Sequence, residues 1–236
     1  MVLLEIWVGV SLPSLSSIGS EVMLIAQVLV IAVGLVYATE GGCVNVVLWR
    51  MRSAPVKTAL SFEQFLEFEV SSLERHEFVD GNLFVMAGGT DKQNHVILEL
   101  IIALKPIARA AGYRLYASDV LVRTPEDVGY YPDVYIAGED ETDSARVKRH
   151  PIVIIEVLSS STEIFDRGEK WQNYQTIPSL EQYVLLSQSE PLAEVYTRQA
   201  DGAWRYQSFS GATVISFPSI SFDLSLTTLY ADLPAN

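Results

Sequence analysis

The run Ile152-Val153-Ile154-Ile155-Glu156-Val157-Leu158 constrains this chain more than any other stretch. An unbroken apolar segment of strand length reads as a strand buried on both faces, which demands packing layers on both sides of its sheet. Glu156 sits inside it. An unpaired carboxylate in such a place is destabilising by several kcal/mol, so Glu156 has to be paired, protonated or bound to a cation. Around it lie Asp133, in Tyr131-Pro132-Asp133, and a helix-like stretch after Ser159–Thr162 that carries Asp166, Glu169 and Lys170.

The flanking pattern is that of a mixed domain. Ser61-Phe62-Glu63-Gln64 is a capping box opening a short helix. Arg75–Val79 and Asn82–Met86 flank Asp80-Gly81, a hairpin signal. Thr90 or Asp91 caps a long helix with Ile97, Leu98, Ile101, Ile102 and Leu104 at helical spacing, which Pro106 is expected to bend or end early. Strands are predicted over 113–122, 131–137, 151–158, 181–186, 192–197, 204–209 and 213–217, with a charged loop over 138–149. Helices are predicted over 164–175 and 224–230. The serines and threonine of Ser159–Thr162 are expected to cap the first of these helices. The fold class is α/β of the mixed α+β kind, a mixed central sheet flanked by helices.

Residues 1–50 differ in character from residues 51–236, which are expected to form the main domain. Val22–Ala38 is apolar apart from Gln27 and lies at the short end of what spans a bilayer. No basic residue precedes Arg50, which argues against a cleaved signal peptide. Arg50, Arg52 and Lys57 just beyond the segment place the main domain in the cytoplasm if the segment is an anchor. The other two readings are a gene start set too early, with Met51 as the true start, and a packed helix.

The charge works against nucleic-acid binding. The net charge is −13, and most nucleic-acid binders carry a basic footprint. Carboxylates gathered around Mg²⁺ offset this in part, because the metal becomes the largest local positive charge. One cysteine, Cys43, excludes an internal disulfide and a thiolate metal cluster. His76, His95 and His150 lack a zinc-ligand spacing, and no Walker or dinucleotide fingerprint is present.

Oxygen chemistry remains. Asp133 and Glu156, on adjacent strands, can point to one sheet end and hold a hard divalent cation, Mg²⁺ or Mn²⁺. Such an ion activates water and stabilises charge on a phosphodiester. The plainer alternative is two carboxylates paired with Lys or Arg. Lys170, on a helix running back across the strand of Glu156, is the electrostatic partner, or else an exposed helix lysine. Glu77 is a third carboxylate for the site, or an edge-strand residue paired with Arg75. His95 can bind a phosphate oxygen or orient water, or simply bond locally at its helix start.

The strings HEFVDGNLFVMAGG, YYPDVYIAG, PIVIIEVLSSST and FDRGEKWQNYQTIPSLEQYVLL resemble the Uma-type restriction endonuclease family, abundant in cyanobacteria and part of the PD-(D/E)XK nuclease superfamily. The resemblance covers about Leu60 to Leu229. It implies a restriction-endonuclease-like fold and Mg²⁺-dependent phosphodiester cleavage with DNA as the substrate; a homodimer would suit double-strand cutting. By position, Glu77 matches the early acidic residue, Asp133 the motif aspartate and Glu156 the second acidic motif residue. The superfamily lysine two places after that glutamate is replaced by Leu158; in this family the lysine stands on the next helix, where Lys170 lies. The rival implication is a degenerate nuclease scaffold that binds without cutting.

Overall fold

A computed structural model describes residues 37–40, 43–46, 56–57, 59–86, 88–140 and 143–233. Contacts divide the chain into Met1–Met51 and Arg52–Asn236. In the first unit Tyr37–Glu40 (β1) pairs antiparallel with Cys43–Val46 (β2). Apart from Tyr37 and Ala38, the apolar segment Val22–Ala38 lies outside the described residues. Among the described residues no helix is long and apolar enough to cross a membrane.

The second unit begins with Val56–Lys57 (β3) and the helix Phe62–Ser71 (α1). Ser61 and Gln64 close the capping box reciprocally, at 3.2 and 2.8 Å. His76–Val79 (β4) and Asn82–Val85 (β5) form the expected hairpin, with Asp80 and Gly81 both at positive φ, 50° and 77°, as a primed two-residue turn requires. The helix Asp91–Ala110 (α2) is capped by Thr90, whose hydroxyl accepts from Gln93 N at 3.1 Å.

Two details of α2 differ from expectation. It runs through Pro106 to Ala110, because Val96, Leu100, Leu104 and Ala108 form a buried stripe on either side of the exposed proline and hold it helical. Of the expected set, Leu104 lies in the buried stripe and Ile97 and Ile101 pack half-buried beside it, while Leu98 and Ile102 are exposed.

The predicted strand over 113–122 is two strands in different sheets: Arg114–Ala117 (β6) and Leu121–Arg123 (β7). Ser118, at φ 51°, breaks it in the left-handed region. Gly129–Tyr130 (β8) and Val134–Ala137 (β9) follow, and the charged loop contains Val147–Lys148 (β10), parallel to β7. Next comes Pro151–Leu158 (β11), buried at all eight positions.

After β11 runs one helical segment in three parts: Glu163–Phe165 (α3), a π turn over Asp166–Lys170, and Trp171–Tyr174 (α4). The capping expected of Ser159–Thr162 does not occur. Thr162 makes no side-chain cap bond, and the hydroxyls of Ser159, Ser161 and Thr162 bond each other at 2.9 and 3.2 Å. The chain ends with Gln182–Ser187 (β12), Leu192–Arg198 (β13), Trp204–Ser210 (β14), the hairpin Val214–Phe217 (β15) and Phe222–Ser225 (β16), and Leu226–Leu229 (α5).

The main sheet has the order β14-β13-β12-β11-β9-β6, with β11 and β12 parallel and the other pairs antiparallel. A second sheet runs β10-β7-β8-β4-β5-β3. Side chains alternate along a strand, so β11 serves two cores. Val153, Ile155 and Val157 pack with the α2 stripe and the β15–β16 hairpin. Ile154 and Leu158 pack on the other face with Tyr174, Tyr183, Tyr130 and Val79. Glu156 shares the parity of Ile154 and Leu158, so it points at the helical segment.

A candidate active site built on a buried lysine

Four ionisable groups meet where β11, β4 and the π turn come together. Lys170 Nζ lies 3.2 Å from Glu156 Oε1, 3.1 Å from Glu77 Oε1 and 3.2 Å from Asp166 Oδ1. All four residues are buried, with 2 to 7% of their surface exposed. Lys170 is therefore not an exposed helix lysine. Glu77 is not an edge residue either: β4 lies between β5 and β8, and Arg75 pairs with Asp119 instead, at 3.8 Å. The π turn sets Asp166 and Lys170 on one inward face, four residues apart; such turns recur at functional sites.

Asp133 stands at the entrance to β9 and is tied to β11 from both directions. Its own N–H donates to Glu156 Oε2 at 3.2 Å, and its Oδ2 accepts from Val157 N at 2.7 Å. The expected neighbourhood of Asp133 and Glu156 is thus present, with Glu77 and Lys170 joined to it through Glu156. Tyr174 donates to Glu156 Oε1 at 3.2 Å, and Tyr130 donates to Glu169 Oε1 at 3.1 Å. His95 is not part of this network: its Nε2 is buried without a hydrogen-bond partner among the described residues.

Electrostatics favour the charged lysine. Burial works against its ammonium, but Glu156, Glu77 and Asp166 outweigh that and hold its pKa well above the usual value. Burial pushes the Glu156 carboxyl well up, against the pull of Lys170. Burial also raises Asp133 from 3.8 to about 6, despite its bond from Val157 and the charge of Lys170. One ammonium meets three carboxylates, with Asp133 beside them, so the cluster has a deficit of positive charge that a proton or a cation has to make up.

Two residues that carry this site escaped the sequence reading. Asp166 was legible only as a carboxylate four places before Lys170. Gln93, in the first turn of α2, donates through Nε2 to Asp133 Oδ2 at 3.3 Å and to the Val157 carbonyl at 3.1 Å. No spacing rule singles it out.

The donor set suits a hard cation in type: the carboxylates of Asp133 and Glu156 and the carbonyl of Val157 offer oxygen alone. Its present arrangement is closed on hydrogen-bond donors. Among the described residues no group of three His, Cys, Asp or Glu side chains is placed to hold a metal ion, and Glu77 is engaged with Lys170. A cavity of about 470 Å³ lined by Leu66, Glu69, Arg75, Asp119, Tyr131 and Arg146 lies apart and includes none of these residues.

Two uncharacterized Synechocystis proteins are similar to the chain. One is 27% identical over 176 residues, covering 74% of this chain and 93% of the relative. The other is 30% identical over 156 residues, covering 64% and 88%. The crystal structure of "a putative nuclease belonging to DUF820" from Anabaena variabilis superposes with a TM-score of 0.62 at 15% identity, covering 74% of this chain and 99% of that one, which establishes a shared restriction-endonuclease-like fold. The profile of the Uma2 family, described as "Putative restriction endonuclease", matches residues 62–229, and the chain belongs to that family.

Proposed function

We propose that the protein is a Mg²⁺- or Mn²⁺-dependent endonuclease that hydrolyses phosphodiester bonds in DNA. The family and fold support a nuclease; the observation that carries the finer reading is the Lys170–Glu156 contact of 3.2 Å beside Asp133. It restores, from a neighbouring helix, the amine missing at Leu158. Asp133, Glu156 and the Val157 carbonyl would hold the cation, with Glu77 acting on it through water.

When bound, the cation supplies the positive charge that lowers the pKa of an attacking water and neutralises the phosphate. The chain's own residues set the stage. Lys170 keeps Glu156 oriented and partly neutralised in a buried place. It then turns one N–H toward the attacking water or the pentavalent phosphate, where a compact charge acts strongly in low dielectric. Tyr174, its pKa raised by burial, remains a protonated donor to Glu156.

Plasmid nicking by the full chain, with Mg²⁺ and with EDTA, tests this. Wild type is expected to nick only with metal. Asp133→Ala and Glu156→Gln are expected to reduce the rate by at least about 10²-fold while the circular dichroism spectrum is unchanged. Equal nicking by all three rejects the assignment.

A second reading is a nuclease scaffold that binds without cutting. It is favoured by the closure of Glu77, Glu156 and Asp166 on one ammonium and by the net charge of −13. DNA retention without metal-dependent nicking would select it.

A further inference from the structure

Gln93 occupies a place that ordinary helix capping does not explain. It is the third residue after the cap Thr90, from where a glutamine commonly reaches back to the cap backbone. Here its side chain turns inward across the sheet end instead. Its Nε2 donates at once to Asp133 Oδ2, 3.3 Å away, and to Val157 O, 3.1 Å away. The donor thus touches two of the oxygens offered to a cation.

The distances carry more than that. Around Mg²⁺, with ligands at 2.0–2.1 Å in an octahedron, neighbouring ligand atoms lie about 2.9–3.0 Å apart. The Gln93 terminal atom is 3.1 and 3.3 Å from two oxygens of the donor set, an ordinary hydrogen-bond separation that an adjacent ligand position would also accommodate. The present donor is a nitrogen, which cannot ligate. A carboxamide carries an oxygen at the mirror position, and a half-turn about its last bond exchanges the two.

The turn exchanges two atoms of nearly equal size and so needs no new space, while Gly89 closes on the amide from one side: a Cβ built there would stand 3.0 Å from Gln93 Oε1. A half-turn also releases Asp133 Oδ2, which now accepts from both Val157 N and Gln93 Nε2, and the Val157 carbonyl.

We propose that Gln93 is a two-state member of the cation site. Without metal its amide nitrogen caps Asp133 and Val157; with metal the carboxamide turns over and its oxygen joins Asp133, Glu156 and Val157 as a ligand. This rests on the reading of Asp133 and Glu156 as cation ligands, and no bond is made or broken beyond hydrogen bonds and coordination. The residue acts on the ion, so its signature is in binding before it is in turnover.

Calorimetric titration of the full chain with Mn²⁺ in the absence of nucleic acid tests the proposal, with Asp133→Ala as the control for the site. Gln93→Leu, which has no ligating atom, is expected to weaken Mn²⁺ binding about 10-fold or more. Gln93→Glu, with oxygen at both positions, is expected to bind at least as tightly as wild type. Side-chain amide NMR gives an independent readout: the Gln93 NH₂ signals should shift on adding diamagnetic Mg²⁺. Gln93→Leu binding Mn²⁺ as well as wild type, or better, reduces the residue to a cap and overturns the proposal. Wild-type binding that is absent, or indifferent to Asp133→Ala, overturns the cation site itself and the proposal with it. Gly89→Ala, which presses on the turning amide, is expected to weaken binding in the same direction without altering any ligand.

Discussion

Lys170 Nζ lies 3.2 Å from Glu156 Oε1 although fourteen residues and a change from strand to helix separate them. The contact arises because β11 presents Glu156 on the face of Ile154 and Leu158, and the helical segment packs across that same face through Tyr174. A lysine at position 158 would share that parity. Leu158 fills the core there instead, and the amine arrives from the packing element.

Removing the amine should be more damaging than removing one carboxylate. Lys170→Met leaves Glu77, Glu156 and Asp166 buried without a cation, and is expected to destabilise the fold by about 3–5 kcal/mol in urea denaturation. Lys170→Arg keeps the charge but replaces a compact ammonium by a planar fork, so the fold should persist while any nicking falls. Lys170→Met as stable as wild type would show that the cluster is already neutralised by protons.

Asp133 gives a pH dependence of stability with a definite sign. Its folded pKa of about 6 exceeds the ordinary 3.8, so the folded chain holds this proton more tightly than the unfolded chain. The resulting stabilisation is fully present below about pH 4 and is lost as pH rises through 6. In EDTA, Asp133→Asn is expected to be more stable than wild type at pH 7.5 by about 1–2 kcal/mol, allowing for the partial exposure of the carboxylate. The difference should vanish near pH 4. Parallel pH curves for the two proteins would contradict the burial argument.

Glu69 anchors the start of β4 from α1 and sets the strand that carries Glu77. Its Oε1 accepts from His76 N at 2.9 Å and from the Tyr131 hydroxyl at 3.2 Å, and its Oε2 meets His76 Nδ1 at 3.0 Å, all buried. Glu69→Ala orphans a buried backbone donor and two side-chain groups, for an expected loss of about 2–4 kcal/mol. Glu69→Gln keeps the acceptor for His76 N and should recover part of it. Equal loss in both variants would assign the effect to charge alone.

Much of this was legible in the chain because local rules coincide with the tertiary answer. β11 matches its predicted span, since a run apolar on both faces can only sit inside. The Ser61 cap and the Asp80-Gly81 turn follow from short-range chemistry. The carboxylates and the lysine stood out as residue types in an apolar context, and the resemblance matched them to the family's motif positions. What stayed hidden depends on the third dimension. The residues 113–122 look like one strand because Ser118 gives no strong break signal, and the α2 stripe could not be placed among Leu98, Leu100, Ile101 and Ile102 without its partner sheet. Gln93 is invisible for a sharper reason: a glutamine three places after a threonine already has a complete local explanation, and its bonds to Asp133 and Val157 span 40 and 64 residues.

Arg198 controls where the helical segment that carries Lys170 ends. Its Nε donates to Leu180 O at 2.8 Å, and its Nη2 to Gln175 O at 2.9 Å and Ile177 O at 2.8 Å, while the guanidinium lies 4.5 Å over the Trp204 ring. These carbonyls belong to the turn that follows α4, so one side chain on β13 satisfies the connection that leads from the site to β12. Arg198→Ala removes the side-chain donor of three carbonyls, of which Ile177 O keeps the Leu180 N–H at 3.2 Å, with an expected loss of about 2–3 kcal/mol. Arg198→Lys should recover little, because one compact ammonium lacks the spread, planar donors that reach these separate carbonyls and the flat face that stacks on the indole. The decisive measurement is hydrogen exchange: protection over 166–177 should fall in both variants, while protection in α1 stays at the wild-type level. A uniform loss across the chain would show that Arg198 supports the whole fold and not this segment.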